Sequence, residues 1–167
     1  MEKVELEKWL GAFALVAMVC CLAVTAWVGW QGKNYEPITA MSYYPSRPDS
    51  NVVSLIEANA EITLPPSAHD IYVYTTGFQD IFTKVRFSMS ADEIDEFIAS
   101  TLCREPLKEI QPGERSAADG ASGWWTPNRA KYLKGCTGSR AHSHQAVMVD
   151  MSDPNVYVVF VSTSTYK

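Results

Sequence analysis

Between Trp9 and Trp30 the chain carries no Asp, Glu, Lys, Arg or His, whereas charged residues recur on both sides of that run. As a helix rising ~1.5 Å per residue it extends about 33 Å, enough to cross a hydrocarbon core of ~30 Å. Trp9 at one end and Trp27 with Trp30 at the other place indoles at the two headgroup levels. A cleaved signal peptide would have an apolar region of only ~7–15 residues and a small-x-small site. Thr25-Ala26-Trp27-Val28-Gly29-Trp30 offers no such site, and Val19 and Cys20 are not the small residues that precede a lipidated cysteine. The pattern therefore predicts a tail at 1–8 and a retained transmembrane helix at 9–30. Lys3 and Lys8 precede it, while the far side has Lys33 and nothing basic until Arg47. That bias favours an internal N-terminus, with the remainder of the chain extracytoplasmic at the cell membrane.

Gly32, Pro37, Pro45 and Pro48 make 31–63 read as a linker containing one short helix. Asp49 or Ser50 caps that helix, and Val52, Val53, Ile56 and Ala60 share its apolar face. Leu64-Pro65-Pro66 ends it and opens a domain over 64–167. Ile71–Thr76 is β-branched and aromatic, with Gly77 as a turn. Ile81, Thr83, Val85, Phe87 and Met89 then alternate with Lys84, Arg86 and Ser88, which predicts a strand with a core side and a wet side. Ser90-Ala91-Asp92-Glu93 has the form of a capping box before the helical spacing of Ile94, Phe97, Ile98, Thr101 and Leu102. The acidic residues of that first turn suit the positive end of the helix dipole and need no catalytic explanation. Residues 111–123 read as a loop, Thr126-Pro127 as the start of a short helix to about Lys134, and 145–151 with 156–163 as two strands around Asp153-Pro154-Asn155. The predicted fold class is α+β: one transmembrane helix plus a small antiparallel sheet of about four strands, β-β-α-β-β, with a helix on one face.

The net charge of −5, with no basic patch, RNP-like strand or Cys/His finger spacing, excludes nucleic acid as a natural partner. Candidate chemistry is sparse. Cys103 and Cys136 lie outside the apolar run; in an oxidising compartment they can close a loop of about 33 residues, worth ~3–4 kcal/mol, or stand as free thiols, since spacing does not fix distance. His142 and His144 fall on one side of an extended segment, but two imidazoles fall short of the three or four ligands of a zinc site, and a polar loop explains them equally. Trp124 and Trp125 either plug the edge of the sheet, or one of them is exposed and anchors a partner or touches the bilayer surface. Within the apolar helix, Ala17, Cys21, Thr25 and Gly29 recur every four residues. This is a small-residue seam of the kind that lets helices approach, although small residues are common in such helices. No nucleophile, cofactor or metal motif is present, so no cofactor is expected and the reading is non-enzymatic.

Leu64-Pro65-Pro66-Ser67-Ala68, the strand Lys84-Val85-Arg86-Phe87-Ser88-Met89, the helix after it and Trp124-Trp125-Thr126-Pro127 together resemble small uncharacterised bacterial proteins. Those carry an extracytoplasmic domain on a lipid or helix anchor. The resemblance covers about residues 62–165 and implies an envelope location but no activity. The expected function is a single-pass accessory subunit of a larger bacterial membrane complex, with the lipid bilayer and other membrane subunits as partners. The alternative is a free-standing envelope module that binds a ligand or protein; no small-molecule class is indicated.

Overall fold

A computed structural model describes residues 38–77, 80–111 and 123–166. They build one seven-stranded sheet, antiparallel throughout: β1 (Ile38–Tyr44), β2 (His69–Gly77), β3 (Ile81–Ser90), β4 (Lys108–Glu109), β5 (Leu133–Arg140), β6 (Ser143–Asp150) and β7 (Val156–Thr165). The strand order is β1-β2-β3-β7-β6-β5-β4. Two helices, α1 (Ser50–Ala60) and α2 (Ile94–Ala99), lie on one face.

The expected α+β domain is overturned: the fold is mostly β, with seven strands rather than about four. Nor is a membrane-crossing helix found among the described residues, where the helices have 11 and 6 residues and none is long and apolar enough. The run Trp9–Trp30 and its seam lie outside the described residues. Two of the additional strands come from segments whose composition disguises them. β1 arises in the stretch expected to be linker, where Ile38, Ala40, Ser42 and Tyr44 alternate with Thr39, Met41 and Tyr43 without contrast in polarity. β5, Leu-Lys-Gly-Cys-Thr-Gly-Ser-Arg, looks like a loop because of its glycines, yet these glycines answer tertiary demands. A Cβ at Gly138 would lie 1.9 Å from the Leu102 carbonyl oxygen, and one at Gly135 would lie 2.6 Å from Ile110 Cδ1 and 2.7 Å from the Val147 carbonyl oxygen. Side chains are excluded there because neighbouring chain passes so close.

α1 begins at Asp49, whose Oδ1 accepts from the amides of Asn51 (2.9 Å) and Val52 (3.2 Å). It ends at Glu61 in the left-handed region (φ 51°). Its buried residues Val53, Ile56 and Ala60 join Ile71, Val85, Phe87, Met89, Val147, Val149, Val159 and Val161 of the sheet. Phe97 of α2 meets Phe87 edge-to-face at 5.4 Å. The α1 C-terminus is tied to the sheet by two buried polar side chains. Gln145, fully buried, donates to the carbonyls of Ala60 (2.6 Å) and Glu61 (3.1 Å) and accepts from the Leu102 amide (2.8 Å); Thr163 also donates to Ala60 (2.9 Å).

The expected capping box forms differently. Ser90 makes no side-chain cap, and Ala91–Glu93 is a 3-10 turn ahead of a shorter α2. Ser67, from the Pro65-Pro66 loop, takes the place expected of Glu93: its Oγ accepts from the Ser90 amide (2.8 Å) and donates to Glu93 Oε2. A hydroxyl remote in sequence thus stands between the Ser90 amide and the Glu93 carboxylate. Likewise Thr126-Pro127 starts only a 3-10 turn (Pro127–Arg129), because Leu133 is already recruited into β5.

Candidate binding face

The opposite face of the sheet, expected to be the wet side, is covered in part by residues 123–130. β4 pairs with β5 at the edge of the sheet, and Trp124 and Trp125 pack over the strands. Trp125, 2% exposed, packs with Ala130, Leu133, Met148 and Phe160 into a second core, edge-to-face on Phe160 at 5.4 Å. Trp124 is half-buried and stacks on Tyr72 at 5.6 Å with the ring planes 5° apart. Tyr43 adds to Tyr72 at 4.4 Å, so a chain of aromatic rings runs from the β1 edge to the centre of the sheet. Burial of these rings explains why Lys84, Arg86 and Ser88 do not face open water. Lys84 Nζ sits 4.8 Å from the Trp125 ring centre, Arg86 Cζ sits 5.3 Å from that of Tyr72, and Ser88 is buried.

Among the described residues three buried donors have no acceptor: Arg86 Nε, Trp124 Nε1 and Trp125 Nε1. Each is of the kind that costs ~1–3 kcal/mol when desolvated unpaired. At the exposed β1 end, Tyr43 donates to Asp70 Oδ1 (3.0 Å), and this hydrogen bond raises the phenol above its ordinary value of 10.0.

Beside the second core lies a groove of about 1180 Å³. Its floor is set by register. Ser162 of β7 pairs with Ala146 of β6, which pairs with Thr137 of β5, so one cross-strand row presents only small side chains. Trp125, Met148 and Ile110 rise on one side; Phe82 and Ser139 lie on the other; Lys84 closes one end. At the β5 edge stand Arg104, Glu105, Lys108 and Glu109, with Glu105 paired to Lys108, an interaction that lowers the Glu105 pKa.

The residues singled out from sequence fall as follows. Cys103 and Cys136 form a disulfide with a Cα separation of 5.8 Å, joining the turn after α2 to β5. His142 lies in the β5–β6 turn, while His144 Nδ1 contacts Ser139 Oγ at 2.9 Å. Among the described residues no group of three or more His, Cys, Asp or Glu is placed to hold a metal. Trp124 and Trp125 are gathered into one cluster. The groove floor was missed by sequence reasoning. Its signal is a run of alternate small residues, Thr137 and Ser139, Ala146, Ser162 and Ser164, facing away from Cys136, Val147 and Val161 of the same strands.

No known protein family, curated protein sequence or solved structure matches this chain.

Proposed function

We propose that this domain is a non-enzymatic docking module working on the outer side of the cell membrane, and that a partner seats in the groove beside Trp125. The observation that carries this reading is the groove itself. A row of small residues is walled by buried Trp125 and half-buried Phe82 and closed at one end by a cation, on the sheet face opposite the helices. Recognition sites combine such apolar walls with a few placed polar groups. The Cys103–Cys136 disulfide supports an oxidising compartment, because such bonds persist outside the cytosol. Rigid cross-linking of β5 to the α2 turn also suits a surface that must keep its shape.

The experiment is site-specific photo-crosslinking in the native host from Thr137, an exposed position on the groove floor. A single discrete adduct that disappears when Ala146→Leu fills the floor supports docking. No adduct, or an adduct indifferent to Ala146→Leu, removes it.

A further inference from the structure

We infer that the outer edge of β1 pairs with β1 of a second copy of this chain, antiparallel and centred on Met41, so that two sheets join into one. This surface is independent of the groove, whose floor is built by β5, β6 and β7 on the other side of the sheet. The two ends of the sheet differ in kind. At one, β4 is two residues long, Lys108 and Glu109, and both are charged. Short, charged edges keep further strands from adding to a sheet. At the other, β1 is seven residues long, with no charged residue, no proline and no shift in its register with β2. Among the described residues no strand lies on its outer side. Alternate residues of a strand turn their N–H and C=O groups to opposite sides, so the outward groups of β1 are half of a ladder that one more strand completes.

The sequence of the strand fits its own copy. Pro37 and Pro45 stand four residues to either side of Met41, and a proline nitrogen has no hydrogen to give a ladder. Antiparallel pairing about a two-fold axis at Met41 therefore uses the whole strand. It sets Thr39 opposite Tyr43 and Ala40 opposite Ser42 of the other copy. Any slip shortens the ladder and brings a proline into it. Each pair in this register also joins residues of the same alternate set, so outward groups of one copy meet outward groups of the other. Side chains support the same axis. Met41 (56% exposed) and Tyr43 (48% exposed) share the face on which Tyr43 packs against Tyr72, and the two-fold brings both copies of this apolar pair together on that face. The chain carries −5 overall, but the strands that meet carry no charge, so copies make contact where they repel least.

The test uses the full-length chain in detergent. Cysteine pairs are read in a Cys20→Ala, Cys21→Ala background, since Cys103 and Cys136 are already bonded to each other. Met41→Cys sets two thiols across the axis with Cα atoms about 4.5–5.5 Å apart, within reach of a disulfide. Tyr43→Cys sets them four residues out of step, about 14 Å along the strands and beyond reach. Mild oxidation should give a covalent dimer with Met41→Cys and none with Tyr43→Cys. Sedimentation of the parent between about 1 and 100 µM should show a concentration-dependent dimer, because a single strand edge makes a small interface. Met41→Lys, at an exposed position, faces two ammonium groups across the axis; it should weaken the dimer roughly 10-fold and leave the thermal midpoint of the fold unchanged. A parent that stays monomeric over that range, a dimer that Met41→Lys leaves intact, or crosslinking of Tyr43→Cys as readily as Met41→Cys would each overturn the inference. Photo-crosslinking from position 41 in the native host to a different protein, in place of a second copy, would overturn it too and give the edge to a foreign strand.

Discussion

Replacing Gln145 by Met isolates the polar tie between α1 and the sheet. The two side chains are similar in length and flexibility, so the main change is loss of the amide group. Gln145 makes three hydrogen bonds at 2.6, 3.1 and 2.8 Å from a fully buried position. At a net ~1 kcal/mol each, their loss costs about 3 kcal/mol. The Leu102 amide is left without its acceptor, which adds to the cost. Ala60 keeps the Thr163 hydroxyl at 2.9 Å, and the thioether gains apolar burial, both of which subtract. The expectation is a destabilisation of about 2–4 kcal/mol, or a melting temperature lower by roughly 10 °C. Urea unfolding followed by tryptophan fluorescence reads this, since Trp124 and Trp125 are packed in the fold. A second arm sharpens it. Thr163→Val alone leaves Ala60 bonded to Gln145, but the double variant strips the Ala60 carbonyl of both side-chain donors. The two changes should therefore be more than additive, by about 1 kcal/mol. A stability within ~0.5 kcal/mol of the parent for Gln145→Met, or strict additivity in the cycle, would refute the reasoning.

Further outcomes follow from other contacts. Cys103→Ala with Cys136→Ala opens a loop of 33 residues and should cost about 3–4 kcal/mol; Cys103 and Cys136 of the parent protein should resist alkylation in cells until a reductant is added. Gly138→Ala drives a Cβ into the Leu102 backbone and should destabilise by about 3 kcal/mol or more, seen as a lower urea midpoint. Asp49→Ala removes the acceptor for two first-turn amides of α1 and should cost about 1 kcal/mol in the same assay, with Asp49→Ser recovering most of it. Tyr43 should titrate above 10.0, and Asp70→Asn should lower its midpoint in an absorbance titration of the phenolate. Because the folded value is raised, the Tyr43–Asp70 contribution is present below the unfolded value and fades as pH climbs through the folded one.

Much of the local structure was legible because it depends on neighbours in sequence. Asp49 opens α1 where a cap was read, and the alternation from Ile81 to Met89 describes a real strand with Val85, Phe87 and Met89 inward. Period and capping are short-range physics, so the order of residues determines them directly. What the order could not convey was pairing. β1 and β5 have weak patterns of their own and exist as strands because β2 and β6 offer them hydrogen-bonding edges, in registers such as Ser42 with Val73 and Cys136 with Val147. The same limit hid the capping partner of Ser90, which is a serine 23 residues away, and the aromatic rings that meet the polar face of β3, Trp125 over Lys84 and Tyr72 over Arg86.

The sequence by itself determined where α1 starts, which residues of the clear strand β3 face inward, and that Cys103 and Cys136 stand outside the apolar run. Only the tertiary structure decided how many strands join the sheet, that the cysteines meet, and that Ser162, Ala146 and Thr137 line up beneath Trp125. The reason is range. Helix caps and strand alternation are set within a few residues. A sheet row, a disulfide and a groove are assembled from segments far apart in the chain, whose register is known only once they have packed.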